Sequence, residues 1–420
     1  MNQYDAITRR SFLHKTTTAA GALAMLPLGL GAAAQTPPSD RIVLGAIGLG
    51  GRGRYILSTF LQYPDVQVVA ICDAMGERRA QGKAMVDAQY QNEDCATYID
   101  MREMLARQDI DAVMIATGDN NHALASVLAA RAGKDIFCEK PMSVTITESR
   151  AVADAVRRNA RIFQCGTQRR NVANFVYAAD LARSGKLGRI TAVYAEKAWD
   201  ESGVHFKALE AQPEPSYEEL AWDLWLGAAL WRPYNREYLG GFWRRHGDFS
   251  GGSITEWGSH TVDLCQWALN ADDTTPLTYE PVNAQGDVEA VYADGAKLII
   301  KKGLRFGSCP VRFEGEEGWV ETGDSNEMDA HPKSLLSGRN YSGGYPADNH
   351  VREFLNCVKT RRQPRSNAEA SHHSITACHC ANAAVRLNRP VTWDPVKEEY
   401  PGDEAANRLR SRAAREPWMI

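Results

Sequence analysis

Between residues 41 and 140 the chain repeats one pattern: a short apolar run, a turn of small or charged residues, then a longer mixed segment. The apolar runs are Arg41–Ile47, Val66–Cys72, Ala112–Ala116 and Asp135–Cys138. Continuous apolar runs this short read as strands buried on both faces, and Arg54–Gln62, between the first two, reads as a helix. Strands that alternate with helices predict an α/β fold with a doubly wound parallel sheet. Further along the pattern changes. Arg189–Tyr194 and Ala296–Ile300 alternate or run apolar between turn residues. They predict a second, C-terminal α+β domain built on an open, mostly antiparallel sheet.

The turn after the first strand carries chemistry. It reads Gly48-Leu49-Gly50-Gly51-Arg52-Gly53, a G-x-G-x-x-G run between strand and helix. The first glycine permits the tight turn, the second lets main-chain N–H groups approach a pyrophosphate, and the third lets the helix pack on the strand. The helix N-terminus adds donors and a positive dipole end. The second strand ends at Asp73, about 20 residues after the last glycine, where a ribose-binding carboxylate belongs. Strand, turn, helix, strand and acid in this order define an N-terminal Rossmann domain. The cofactor expected is NAD rather than NADP, because Asp73 repels a 2′-phosphate; Arg78 and Arg79 nearby temper that preference. The third apolar run leads into Thr117-Gly118-Asp119-Asn120-Asn121-His122. Ligands in such sheets lie outside the carboxyl ends of the strands, which makes Thr117 and Asn120 candidates for cofactor contact. His122 either joins them or simply caps or lines the following helix.

Composition narrows the classes. The chain has 420 residues, 44% of them hydrophobic and 24% charged, with a formal net charge of -4. This length supports two domains, and the charge gives no reason to expect nucleic acid or an anionic membrane as partner. Nine cysteines are scattered and several lie in apolar runs, so buried thiols are expected rather than a disulfide framework. The first 35 residues stand apart. Thr8-Arg9-Arg10-Ser11-Phe12-Leu13 is followed by an apolar stretch from Ala19 to Leu30 and by Ala32-Ala33-Ala34, with cleavage expected near Gln35. The order resembles a twin-arginine (Tat) signal peptide, which implies export of a folded protein to the periplasm by the Tat machinery and no stable membrane insertion after cleavage. A Rossmann protein exported folded would carry its nucleotide out with it, so the NAD is expected to be tightly bound.

The fourth apolar run ends at Glu139-Lys140-Pro141, and proline restricts the backbone beside Lys140. Cys138-Glu139-Lys140-Pro141-Met142-Ser143 resembles a signature of the Gfo/Idh/MocA oxidoreductase family. A second segment, Gly251–Asp263, resembles the family's run in which an acid precedes a catalytic histidine by four residues. Glu256 holds the acid position, where many members have Asp, and His260 the histidine position. The resemblance covers nearly the whole chain after the signal. It implies Lys140 and His260 as catalytic residues that also meet substrate, His260 taking the proton of the sugar hydroxyl and Lys140 assisting, with Glu256 orienting His260 or stabilising its protonated form through a shared helix face. Asp263 is expected to support the helix or an interface rather than the chemistry. Glu139 and Lys140 join the cofactor set, as does Gln168 from the run Gly166–Arg170 that opens the second domain in many members. The family resemblance also implies a homo-oligomer, a dimer or tetramer.

Trp222–Gly227 and Trp231–Asn235 resemble a subgroup with a tryptophan-rich substrate loop. Aromatic faces stack on sugars, while arginine and asparagine bind hydroxyls. Trp231, Arg232, Asn235, Trp243 and Arg244 are therefore substrate-side candidates, and packing in a long loop is an even alternative for each. His372, His373, Cys378, His379 and Cys380 fall on one expected amphipathic, alanine-rich helix, Glu369–Leu387, so no metal site is expected. The expected organisation is a signal peptide over 1–35, a linker over 36–40, the NAD-binding domain over 41–165, a substrate and oligomerisation domain over 166–390, and a tail over 391–420 packing on the domains. The function expected is hydride transfer between bound NAD and a small carbohydrate, glycoside or polyol hydroxyl. Two alternatives stay open: a glycoside hydrolase working by transient oxidation and elimination, and a non-catalytic sugar-binding protein.

Overall fold

The computed structural model describes residues 40–199, 205–337, 347–413 and 415–420. The signal-peptide reading of residues 1–35 lies outside them. The first sheet has six strands: β1 (Ile42–Ile47), β2 (Val66–Cys72), β3 (Ala96–Tyr98), β4 (Ala112–Ile115), β5 (Asp135–Cys138) and β6 (Phe163–Cys165). All are parallel, in the order β3-β2-β1-β4-β5-β6. This is the doubly wound arrangement, with its crossover between β1 and β4. The apolar runs become the four central strands because both faces are covered by helices and every position must be apolar. β3 and β6 were not among the expected strands. Each has three residues and lies at a sheet edge, too short to leave a periodic signature.

The helix Gly51–Phe60 starts inside the glycine run, earlier than the expected Arg54. Gly48 has φ +86°, and a Cβ there would meet the main chain of Ala116 at 2.5 Å. A Cβ at Gly53 would meet the Gly48 carbonyl oxygen at 2.0 Å. Both glycines are therefore required by the fold itself. At Gly51 nothing lies within 4 Å, and at Gly50 the nearest atom is Arg78 Nη1 at 3.7 Å. The fold leaves those two positions open.

The second sheet has eight strands: β7 (Ile190–Glu196), β8 (Thr278–Pro281), β9 (Val288–Val291), β10 (Lys297–Lys301), β11 (Val311–Gly315), β12 (Gly318–Thr322), β13 (Met328–His331) and β14 (Val391–Thr392). Its order is β13-β12-β11-β7-β10-β9-β8-β14. Only β7 and β10 pair in parallel; the other pairings are antiparallel. The helices Gly258–Ala268 and Ala368–Leu387 pack against this sheet and against each other. Ala368–Leu387 is buried nearly all round up to Ala384, so it is a core helix rather than an amphipathic one. Its alanines permit that close approach. The later helix Ala347–Thr360 returns to the first sheet, where Val351, Phe354 and Leu355 join the core of Leu44, Phe60 and Phe137. Among the described residues, no helix is long and apolar enough to cross a membrane.

Candidate active site

Two clefts meet at Ala116 and Thr117, outside the carboxyl end of β4. The first, of about 630 Å³, is walled by Gly48, Asp73 and Arg78 on one side and by Thr117, Gly118 and Asn120 on the other. Asp73 accepts from the Leu49 N–H at 2.6 Å and the Met75 N–H at 2.9 Å, so one carboxylate braces the glycine turn and the start of the next helix. Burial pushes its pKa up, against the pull of Arg78 and those two N–H groups. The open positions at Gly50 and Gly51, the helix N-terminus behind them and the acid ending β2 fit a dinucleotide. Asn120 lines this cleft, but its amide is committed to the Leu226 carbonyl at 2.9 Å.

A strap from a distant part of the chain crosses the cleft. The Gly76 N–H donates to the Glu219 carbonyl at 2.9 Å, the Ala221 N–H to the Ala74 carbonyl at 3.0 Å, and Arg79 Nη2 to the Glu218 carbonyl at 2.7 Å. Leu224, Trp225 and the C-terminal Trp418 thereby line the nucleotide cleft. Arg415 donates to Asp223 Oδ1 at 2.5 Å and to the Gly227 carbonyl at 2.7 Å. Arg412 donates to the Asn120 carbonyl at 2.9 Å. The tail thus fastens to the strap and to the first turn of the helix Asp119–Arg131 together. A tail over 391–420 packing on the domains was expected from the sequence; the strap and the residues that fasten it were not, since contacts between segments so far apart leave no local pattern.

The second cleft, of about 1030 Å³, is where the two sequence signatures converge: Glu139, Lys140, Glu256 and His260 all line it. Lys140 Nζ donates to Glu256 Oε2 at 3.0 Å and to the Glu256 carbonyl at 3.1 Å. Burial works against the ammonium, but Glu256, Asp119 and Glu139 outweigh it and raise the pKa. His122 Nδ1 donates to the Pro141 carbonyl at 2.7 Å and so holds the turn that carries Lys140. Its Nε2 is buried in the cleft wall without a partner. Glu139 accepts from Arg52 at 2.9 Å and from Gln168 at 2.9 Å, linking the glycine helix to the start of the second domain.

Glu256 does not serve His260. The helix breaks at Trp257, between Ser253–Glu256 and Gly258–Ala268, so the two side chains do not share one regular face. The Glu256 carboxylate turns to Lys140 instead, and His260 Nδ1 is buried without a partner. Burial holds the His260 pKa well below the ordinary value, and Arg169, Lys140 and Arg52 push it the same way. Burial and these cations favour the neutral imidazole.

Trp243 and Arg244 line the cleft, with Arg244 Nε 4.0 Å from Glu256 Oε2. Trp231, Arg232 and Asn235 are not part of its lining. Trp231 is 62% exposed outside it. Arg232 pairs with Asp248 and His246 over the rings of Tyr238 and Phe249. Asn235 caps the turn Arg236–Gly240 and donates to the Glu210 carbonyl at 2.8 Å. Packing of the aromatic insertion claims these residues. Sequence reasoning missed Asp119, Arg169, Trp257 and Cys309, which also line the cleft. Asp119 had a signal: it stands two residues after Thr117 at the carboxyl end of a parallel strand. Asp263 pairs with the buried Arg170 at 2.7 Å, away from the chemistry. His372 bonds Ser149 and Glu398, and all nine cysteines are buried thiols. Among the described residues, no group of three or more His, Cys, Asp or Glu side chains is placed to hold a metal ion.

A cleft over a glycine turn, sharing Ala116 and Thr117 with a cleft lined by lysine, carboxylate and histidine, defines a dinucleotide-dependent oxidoreductase. The comparisons agree. Residues 42–167 match the NAD-binding Rossmann domain of the Gfo/Idh/MocA oxidoreductases, and residues 184–420 match that family's C-terminal alpha/beta domain. The chain belongs to this family. It is 25% identical over 294 residues to the rhizopine catabolism protein MocA of Rhizobium meliloti, covering 67% of this chain and 78% of that one. It is 27% identical over 299 residues to the inositol 2-dehydrogenase of Salmonella typhimurium, covering 66% and 72%. The fold is similar to that of the WlbA dehydrogenase from Bordetella pertussis, solved with NADH and UDP-GlcNAcA. That match has TM-score 0.61 and 18% identity, and it covers 84% of this chain and 99% of the other.

Proposed function

We propose that this oxidoreductase transfers hydride between a tightly held NAD and a hydroxyl of a small carbohydrate, glycoside or polyol. The observation that carries the reading is the convergence of Lys140, Glu256 and His260 on a cleft that shares Ala116 and Thr117 with the nucleotide cleft. The nicotinamide, when bound, supplies the hydride chemistry; the chain binds, orients and handles the proton. Lys140 donates to the reacting oxygen and stabilises negative charge as it develops there. Neutral His260 accepts the hydrogen bond of the hydroxyl. Trp243 and Arg244 form the outer wall for the rest of the sugar. The inositol 2-dehydrogenase relationship supports a polyhydroxylated substrate.

Tight binding is supported by the strap and by Trp418 over the nucleotide cleft. NAD over NADP is supported by the Asp73 carboxylate at the end of β2. Export by the Tat route fits a nucleotide that travels with the protein, and a homo-oligomer is the expected assembly. Mass spectrometry of nucleotide released from the purified protein tests the first point, with NAD expected and no nucleotide overturning it. A panel of polyols, aldoses and glycosides followed at the nicotinamide absorbance tests the second. Glycoside cleavage with no net NADH would identify the elimination route instead. No turnover of any kind on saturable sugar binding would identify a binding protein. Arg9→Lys with Arg10→Lys tests export: the protein should vanish from the periplasmic fraction.

A further inference from the structure

Asp119 begins the helix Asp119–Arg131 and lines the second cleft, yet it is only 3% exposed. Glu256 lines the same cleft, and the two carboxyl groups are close enough to shift each other's ionisation. One oxygen of each, Asp119 Oδ2 and Glu256 Oε1, is buried with no donor around it. Two neighbouring buried carboxylates would leave both orphan oxygens unsatisfied and both charges in repulsion, and a single proton shared by the pair removes both penalties. Lys140, 3.0 Å from Glu256, balances the one remaining negative charge.

We propose that Asp119 and Glu256 share one proton and form the store from which Lys140 exchanges a proton with the reacting oxygen. The proposal rests on the dehydrogenase reading above. When a carbonyl is reduced, Lys140 gives an Nζ proton to the oxygen that has become negative. The shared proton then passes from Asp119 through Glu256 to the neutral Lys140 amine, leaving two carboxylates beside an ammonium. Oxidation runs the same steps backwards from a pair whose proton has first left to solvent: Lys140 passes a proton through Glu256 to Asp119, and its neutral amine takes the proton of the hydroxyl. The two electrons travel with the hydride and never enter this path.

The groups facing the pair agree on where the proton rests. Burial drives the Asp119 pKa well above the carboxylate range and Glu256 drives it further, while Lys140 and the Ser250 hydroxyl pull it down. For Glu256, burial is outweighed by Lys140, with Arg244 adding to the pull, so it stays the ionised partner. His122 and His260, in the same cleft, are both held neutral chiefly by burial and do not compete for the proton. Asp119 is thus a positioning residue that acts through Glu256 and Lys140.

Infrared spectroscopy tests this on the folded protein without substrate. At pH 8 ordinary carboxyls are ionised, so the wild-type minus Asp119→Asn difference spectrum should show a protonated-carboxyl C=O band. Glu256→Gln should remove the same band although Asp119 is still present, because the amide offers a donor in place of the repelling carboxylate. A difference spectrum without the band overturns the shared proton. With a substrate found in the panel, Asp119→Asn should lower kcat about 10²-fold with KM little changed and shift the pH profile. An Asp119→Asn enzyme with wild-type kcat and pH profile overturns the role as proton store. Failure of every substrate would strike the dehydrogenase reading, while the infrared result stands or falls by itself.

Discussion

The ammonium of Lys140 lies 3.0 Å from the Glu256 carboxylate, across 116 residues of chain. One group comes from the end of β5 and the other from the short helix Ser253–Glu256, so the contact ties the cofactor-binding half to the rest of the site. Lys140→Met should lower kcat by about 10²- to 10⁴-fold, the usual range for a positioned proton donor, while the bound nucleotide stays in place. Steady-state kinetics together with nucleotide extraction checks both parts.

Asp73 braces the glycine turn through the Leu49 N–H and faces Arg78 across the cleft. Asp73→Ala removes the proposed ribose acceptor and strands the buried Leu49 N–H and the partly buried Met75 N–H, a loss of about 1–3 kcal/mol for a buried group and less for the other. The purified variant should carry less NAD than the wild type, and its NADP to NAD ratio should rise because Arg78 is then unopposed. Mass spectrometry of the released nucleotide measures both.

Trp418 lines the nucleotide cleft, and Arg415 fastens its segment to the strap. Trp418→Ala and Arg415→Ala should each speed nucleotide release at least about tenfold, the factor that corresponds to about 1.4 kcal/mol. Loss of NADH fluorescence from the protein after dilution gives the rate. An unchanged rate in both variants would remove the strap and tail from nucleotide retention.

Arg170 is fully buried and pairs with Asp263 at 2.7 Å and Asp272 at 2.8 Å. Arg170→Met leaves Asp263 charged and uncompensated, which should cost about 3–5 kcal/mol in urea unfolding. Asp272→Asn should cost less, since that side chain is partly exposed.

The helix Ala347–Thr360 is held to the first sheet by Asp65, which accepts from Arg352 at 2.9 Å and from Lys359 at 2.5 Å. Burial would raise the Asp65 pKa, but the two cations outweigh it and hold it at about 2. A depressed folded-state pKa stabilises above the unfolded value and loses that contribution as pH falls through the folded one. Asp65→Asn should therefore destabilise the protein at pH 7 by on the order of 1 kcal/mol. The gap to wild type should close between pH 4 and pH 2, as denaturant midpoints across that range would record.

The four central strands of the first sheet, the glycine turn and Asp73 were legible because each is encoded locally. A strand covered on both faces must be apolar throughout, and a turn crowded by Ala116 must be glycine. Lys140, Glu256 and His260 were legible through family signatures. β3 and β6 were not, being three-residue edge strands. Tertiary structure alone decided what the side chains do. It broke the helix at Trp257, so Glu256 serves Lys140 and Asp119 rather than His260. It committed Arg232 and Asn235 to packing, and it laid Trp225 and Trp418 along the nucleotide cleft. Periodicity records which face of an element is buried, but not which distant residue fills the space opposite; that choice is made when the segments pack.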